Sequence, residues 1–375
     1  MRAAAAAETI WLAAPSRYAG WSRRRARGAL AVLVLLIAAF TIQPIRPAPP
    51  PGTPPAIENK GSESDLALYE AIVDDVRHGE DYYQATAQEL RARPGYPLRP
   101  FVTFRLPLLA RLQALLSPAM TLLLLWLLAA AAATAWMGRL RELLPRLAPR
   151  LIAGLLLAGG LVAFVQPALT ASHEIWAALL IAWSLAVRRP GNVTLALALA
   201  TIAMLIRETA ALYVLVMGGL AVVTGQRREA AGWALTLAVL AAAVAVHAGA
   251  VHRVTGPLDT ASDGWTGLNG AWFFAMTLRH ATILEVMPFL LAAPILALAL
   301  FGWTVPAHPL ALRMATILAA YGVLIACFAR LNNFYWGLMV APIVLVGLAF
   351  VPDGLRDLGR SALDRRRARV TRTAA

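Results

Sequence analysis

Ten apolar runs divide this chain, at residues 29–45, 117–137, 151–169, 175–187, 191–206, 209–224, 231–252, 284–304, 311–329 and 336–352. A helix needs about 20 apolar residues to cross the hydrocarbon core of a bilayer, with a range of about 17–25. Most of the runs reach that length, and the two short ones, 175–187 and 191–206, draw on flanking polar residues. Composition agrees: 59% of residues are hydrophobic and 14% charged, with a mean hydropathy of +0.64. Soluble domains carry about 45–50% apolar and about 25% charged residues. A soluble enzyme, a disordered chain and a coiled coil are excluded. The expectation is an all-α membrane protein with about ten transmembrane helices.

The charge balance is strongly basic, 34 Arg and Lys against 20 Asp and Glu. In a soluble chain that would suggest nucleic acid; here the basic residues punctuate apolar runs, and no nucleic-acid partner is expected. With the N-terminus inside, the inner segments hold Arg23, Arg24, Arg25 and Arg27, then Arg139, Arg141, Arg146 and Arg150. Arg188 and Arg189, Arg227 and Arg228, and a tail with Arg365, Arg366, Arg367 and Arg369 follow on the same side. Every short Arg-rich loop falls inside, as the positive-inside rule requires. Both termini are therefore expected in the cytoplasm, with basic tails at 1–28 and 353–375 around a membrane domain at 29–352. The run 29–45 is long for a signal peptide and no clean A-x-A site follows it, so an uncleaved first helix is favoured.

The long outer segment 46–116 opens with a Pro-rich stretch from Pro44 to Pro55, read as an extended spacer. Polarity then changes: nine of the 20 acids lie between Glu58 and Glu89. Over residues 65–77, Leu66, Tyr69, Ile72, Val73 and Val76 recur at helical spacing, which predicts an amphipathic helix on the membrane surface. Residues 104–116 predict a return helix, and Ser117 and Pro118 the start of the next span.

Asp65 stands four residues before Tyr69, on neighbouring parts of one face. From spacing alone it is either the acid of a capping box with Ser62 or a functional carboxylate. Arg99 and Arg105 flank the return helix, placed to fork onto a phosphate or to touch lipid headgroups. His173 and Glu174 head the fourth span, Arg207 and Glu208 occupy the turn after the fifth, and Arg330 ends the ninth. Ionisable groups at membrane depth cost about 2.5–3.5 kcal/mol each, so they call for mutual ion pairs, a polar cavity, or both. His247 and His252 have no metal-binding spacing, Cys327 is the single cysteine, and no phosphate loop is present. No cofactor is expected; a divalent metal stays open as an alternative that the ligand spacing does not support.

These residues occur in a familiar order. DLALYEAIVDDVRHGEDYY (65–83) resembles the D-E-x-x-Y…G-D-x segment after the first helix of GT-C glycosyltransferases, with Leu66 at the second acid. That superfamily includes the lipid A aminoarabinose transferases and the protein O-mannosyltransferases. FRLPLLARLQALL (104–116) is similar to their return helix, with Arg105 where a lysine is common. HEIWAALLIAWSLAV (173–187) is similar to their acidic-headed fourth helix, and ALATIAMLIRETAALYVL (198–215) places Arg207 at a basic position. NNFYWGLMVAPIVLVGLA (332–349), with Tyr335, resembles their closing helix.

The resemblance implies a GT-C-like multi-pass protein of the bacterial inner membrane with its active site on the extracytoplasmic face. It implies transfer of a sugar from a polyprenyl-phosphate donor to a hydroxyl of a glycan, lipid or protein acceptor, with inversion. Asp65 becomes the general base; Arg105, Arg207, Arg330 and Arg99 become candidates for the donor phosphate; Glu174, His173, Tyr69, Glu208 and Tyr335 become candidates for orienting substrate. Two other classes compete: a transporter or flippase of lipid-linked sugars, and a non-catalytic membrane subunit of a glycosylation complex.

Overall fold

The computed structural model describes residues 9–44, 60–262, 264 and 267–364. The Pro-rich stretch beyond Pro44 and the arginines at 365–369 lie outside the described residues. Among the described residues no β-strand forms, and helices joined by turns and short loops make up the structure. The helices are α1 (Arg23–Thr41), α2 (Lys60–Arg77), α3 (Tyr82–Ala92), α4 (Leu108–Leu115), α5 (Pro118–Leu143), α6 (Leu147–Leu161) and α7 (His173–Val187). They continue with α8 (Thr194–Ile206), α9 (Ala211–Val223), α10 (Arg227–Val254), α11 (Ala271–His280), α12 (Phe289–Thr304), α13 (Pro309–Phe328), α14 (Ala341–Val344) and α15 (Val351–Leu363).

Local chemistry sets several boundaries. Ser117 caps α5 by accepting from the Met120 amide, and Pro118 takes the first helical position, where its missing N–H costs nothing. His308 and Pro309 do the same for α13. Each of the ten apolar runs is largely helical, but they differ in reach. By length and composition α5, α6 with its 3₁₀ extension (Leu147–Val165), α10 and α13 can each cross a membrane. A fifth crossing forms if residues 331–339 and 341–363, bent by 57° from one another, are counted together. Helices α7, α8, α9 and α12 are apolar but shorter.

The exterior of the bundle is apolar, as lipid demands. Leu35, Leu155, Val223, Val246 and Leu290 are all more than 60% exposed, a surface that water would not tolerate on a monomer. Inside, small residues let backbones meet. A Cβ on Gly160 would lie 2.6 Å from the Pro342 carbonyl, and one on Gly302 would collide with the Gly347 carbonyl.

Helices α2 to α4 form a cap over one end of the bundle with a core of their own, built from Leu68, Ile72, Tyr82, Leu90, Phe104 and Val251. The apolar face of α2, expected to lie on the membrane surface, is turned onto α3, α4 and the end of α10 instead. Protein covers that stripe because Tyr82 and Leu90 of α3 complete it. At the opposite end the two terminal segments are joined. Asp353 is fully buried and accepts from the backbone amides of Ile10 (2.7 Å), Trp11 (2.8 Å) and Leu12 (3.0 Å). Asp357 accepts from the Ser16 hydroxyl at 2.7 Å. Residues 353–363, expected within a basic tail, are thus a docked helix.

Candidate active site

Asp65 is the sixth residue of α2, past the first turn whose free amides a capping carboxylate serves. Its Oδ1 accepts from the Tyr96 hydroxyl at 2.6 Å, a tertiary contact in place of the capping box. Tyr96 follows a turn made possible by Gly95, whose φ of +87° suits glycine.

One helical turn beyond Asp65, the Tyr69 hydroxyl accepts from Arg105 Nε at 3.1 Å. Its ring stands edge-on to His173 with centroids 4.7 Å apart. The segment before α4 that carries Arg105 is fixed twice. The Tyr82 hydroxyl donates to the Arg105 carbonyl at 2.7 Å, and the Leu106 amide donates to Glu208 at 3.3 Å. Arg330 leaves the end of α13 and donates to the Ser262 hydroxyl at 3.1 Å and to the Gly264 carbonyl. Tyr335, on the 3₁₀ segment 331–339, accepts from Asn333 at 3.2 Å.

Asp65, Tyr69, Arg105, His173, Arg330 and Tyr335 come from five separate elements and wall one cavity of about 680 Å³. A second cavity, of about 460 Å³, shares Asp65, Tyr69 and Tyr335 and adds Glu174, His280 and Glu285. The three shared residues form a partition. Its first side is basic, through Arg105 and Arg330; its second is acidic.

Three of the expected site residues lie behind the walls. Arg207 is 4% exposed and forms an ion pair with Glu174 at 2.5 Å and with Glu208 at 3.5 Å. At that depth its guanidinium is held by Glu174, the nearer of the two carboxylates. Glu208 bridges Arg207 to the Leu106 amide. Arg99, also expected at the phosphate, lines neither cavity. Its Nε donates to the Asp259 carbonyl at 2.8 Å, captured by the loop that runs alongside it.

Burial sets the electrostatics of the cavity. It pushes the Asp65 carboxyl above the ordinary carboxylate range; the Tyr96 hydrogen bond and the Arg105 charge oppose the rise, and the Glu174 charge adds to it. Burial also pushes the Tyr69 phenol up to about 12, against the pull of Arg105, so Tyr69 is a neutral hydroxyl at physiological pH. A carboxylate whose proton affinity is raised, beside a fixed cation, suits proton abstraction from a hydroxyl. Among the described residues, no group of three or more His, Cys, Asp and Glu side chains is placed to hold a metal ion.

Sequence reasoning missed Tyr96, Asn333, His280 and Glu285. A tyrosine inside Pro94-Gly95-Tyr96-Pro97 was the one available signal, since such a turn projects its side chain. His280 and Glu285, 3.2 Å apart, gave none. Compared with protein-family models, curated proteins and solved structures, the chain matches none.

Proposed function

We propose that this protein is an inverting glycosyltransferase of the GT-C kind, moving a sugar from a polyprenyl-phosphate donor to an acceptor hydroxyl. The observation that carries the reading is the partition: one carboxylate, Asp65, facing a basic cavity on one side and an acidic cavity on the other. The donor phosphate lies on the basic side against Arg105 and Arg330, and the acceptor enters from the other. An apolar groove of about 630 Å³ lies between α1, α12 and α13 and is lined at the end of α13 by Cys327, three residues before Arg330. A prenyl chain laid there would bring its phosphate to that arginine.

The acceptor oxygen attacks C1 of the donor sugar as Asp65 takes its proton. The C1–phosphate bond breaks, and polyprenyl phosphate leaves with the bonding pair. Arg105 and Arg330 stabilise the charge that grows on the leaving oxygen. Tyr96 holds the Asp65 carboxylate in place, and Arg207 fixes Glu174, which with His173, Tyr69 and Tyr335 orients the sugar. The transfer calls for no cofactor. In this reading all ten helical runs cross the bacterial inner membrane, both termini are cytoplasmic, and the α2–α4 cap is extracytoplasmic.

The test is turnover of polyprenyl-phospho-sugars by the purified chain, read as release of polyprenyl phosphate. Arg105→Lys keeps the charge and loses the fork, so a partial loss is expected, with Arg105→Ala losing more. Wild-type activity in Arg105→Ala would remove it from the donor site; absence of turnover with every polyprenyl-phospho-sugar tried would overturn the function.

A further inference from the structure

At the other end of α7, about 20 Å from Glu174 for a helix of 15 residues, a second polar cavity is sunk into the bundle. It lies between the end of α5, the α7–α8 turn and the α12–α13 turn. Arg139, Glu142, Arg188, Arg189, His308 and Arg313 line its volume of about 230 Å³. Topology signals are solvated arginines, but these are not: Arg139 is 7%, Arg188 4% and Arg313 5% exposed.

Carboxylates do not match the cations. Glu142 serves Arg139 at 2.7 Å and Arg189 at 2.6 Å, with His308 at 3.9 Å. Glu229 is engaged by Arg188 at 3.0 and 2.5 Å and by the Trp233 indole at 3.1 Å. Arg313 meets no carboxylate among the described residues. Its Nη1 donates only to the Pro309 carbonyl of its own helix, at 3.2 Å. The Nε atoms of Arg313 and Arg139 are both buried without a hydrogen-bond partner. The N-terminus of α13, with Pro309 and Leu310, opens onto the same cavity and adds the positive end of a helix. A buried guanidinium without a counter-charge is strongly unfavourable. The cavity is smaller than the roughly 300–1,000 Å³ of organic-ligand pockets.

We propose that this cavity binds a compact oxyanion, a phosphate group, whose charge answers the guanidiniums of Arg313 and Arg139. The phosphate is either inorganic or the headgroup of an anionic lipid. The site is independent of the glycosyl-transfer reading.

Thermal unfolding of the purified full-length chain separates the sources. In phosphate-free detergent buffer at fixed ionic strength, inorganic phosphate is expected to raise Tm saturably by several degrees. Arg313→Met should abolish that rise while unfolding no lower than wild type without phosphate, because an uncompensated charge has gone. Arg139→Met, the second variant, should weaken the rise. Arg330→Gln, at the other cavity, should keep it. If inorganic phosphate has no effect but phosphatidylglycerol nanodiscs raise Tm over phosphatidylcholine nanodiscs in wild type and not in Arg313→Met, the phosphate is a lipid headgroup. A flat response to both sources, or a rise that survives in Arg313→Met and Arg139→Met, overturns the site.

Discussion

Asp65→Asn preserves the shape of the side chain and still accepts the Tyr96 hydroxyl, but it removes the proposed base. General-base catalysis is worth about 10²–10⁴-fold, and turnover should fall by that much. Stability should move the other way. Burial raises the Asp65 proton affinity in the folded chain above its unfolded value. Its contribution to stability is therefore fully present below the unfolded pKa and lost as pH rises through the folded one. At neutral pH the wild type carries that penalty and Asp65→Asn does not, so its Tm should equal or exceed wild type. Turnover within a few-fold of wild type would end the catalytic assignment. Tyr96→Phe takes away a hydrogen bond that lowers the Asp65 pKa. In the proposed reaction the ionised carboxylate is the active form, so the acidic limb of the rate profile should shift to higher pH; an unchanged limb would detach Tyr96 from Asp65. Asp65 and Tyr69 were legible by their helical spacing and Arg105 by its place at the return helix, while their roles came only from the resemblance of segments 65–83 and 104–116. Tyr96 was not, since its contact with Asp65 is made across 31 residues by the folding of α3 onto α2. Arg207 was legible as an ion-paired group, and only burial could tell which partner it would hold.

Between elements, the tightest contacts are made where side chains are absent. A methyl group at Gly302 would occupy the space of the Gly347 carbonyl, so Gly302→Ala must push α12 away from residues 345–350. Overpacking of this kind costs about 1–3 kcal/mol, and occasionally more. Gly138 on α5 offers the control, because a Cβ there meets nothing within 4 Å. Gly138→Ala should be neutral or gain up to about 1 kcal/mol from helix propensity. Equal Tm values for the two variants would show that the α12 contact yields. Adjacent glycines such as Gly159 and Gly160 are readable in a sequence as a close helix contact, and Gly160 does lie against the Pro342 carbonyl. The Gly302–Gly347 pairing was not, being 45 residues apart in sequence and one contact in space. The stripe of α2 was likewise legible as an apolar face. Its cover was not, because periodicity identifies a face that must be buried and says nothing about whether lipid or α3 buries it.

Across the whole molecule, ion pairs tie distant loops to one end of the bundle or the other, which turns topology into a set of linked statements. Arg189 pairs with Glu142 and Arg188 with Glu229, so the turns near residues 145, 190 and 228 share one end. The Ala13 amide donates to the Leu143 carbonyl at 2.9 Å, and Asp353 holds the Ile10, Trp11 and Leu12 amides, which brings both terminal segments to that same end. Asp65 and Ser262 belong to the other end, with the α2–α4 cap. The arginine pattern had sorted these loops by charge alone, and the contacts sort them by geometry. What charge could not supply was the docking of α15, because Asp353 is held by amides, and Asp357 by the Ser16 hydroxyl, of a segment more than 300 residues earlier. Fusion reporters placed after residues 145 and 228 should therefore read alike, as cytoplasmic, and reporters after residue 60 and near residue 262 should read as extracytoplasmic. Agreement within each pair tests the contacts; the assignment of pairs to sides tests the arginine rule. A cytoplasmic reading at residue 60 would put Asp65 on the wrong face for a lipid-linked donor presented outside, and the proposed chemistry would fall with it.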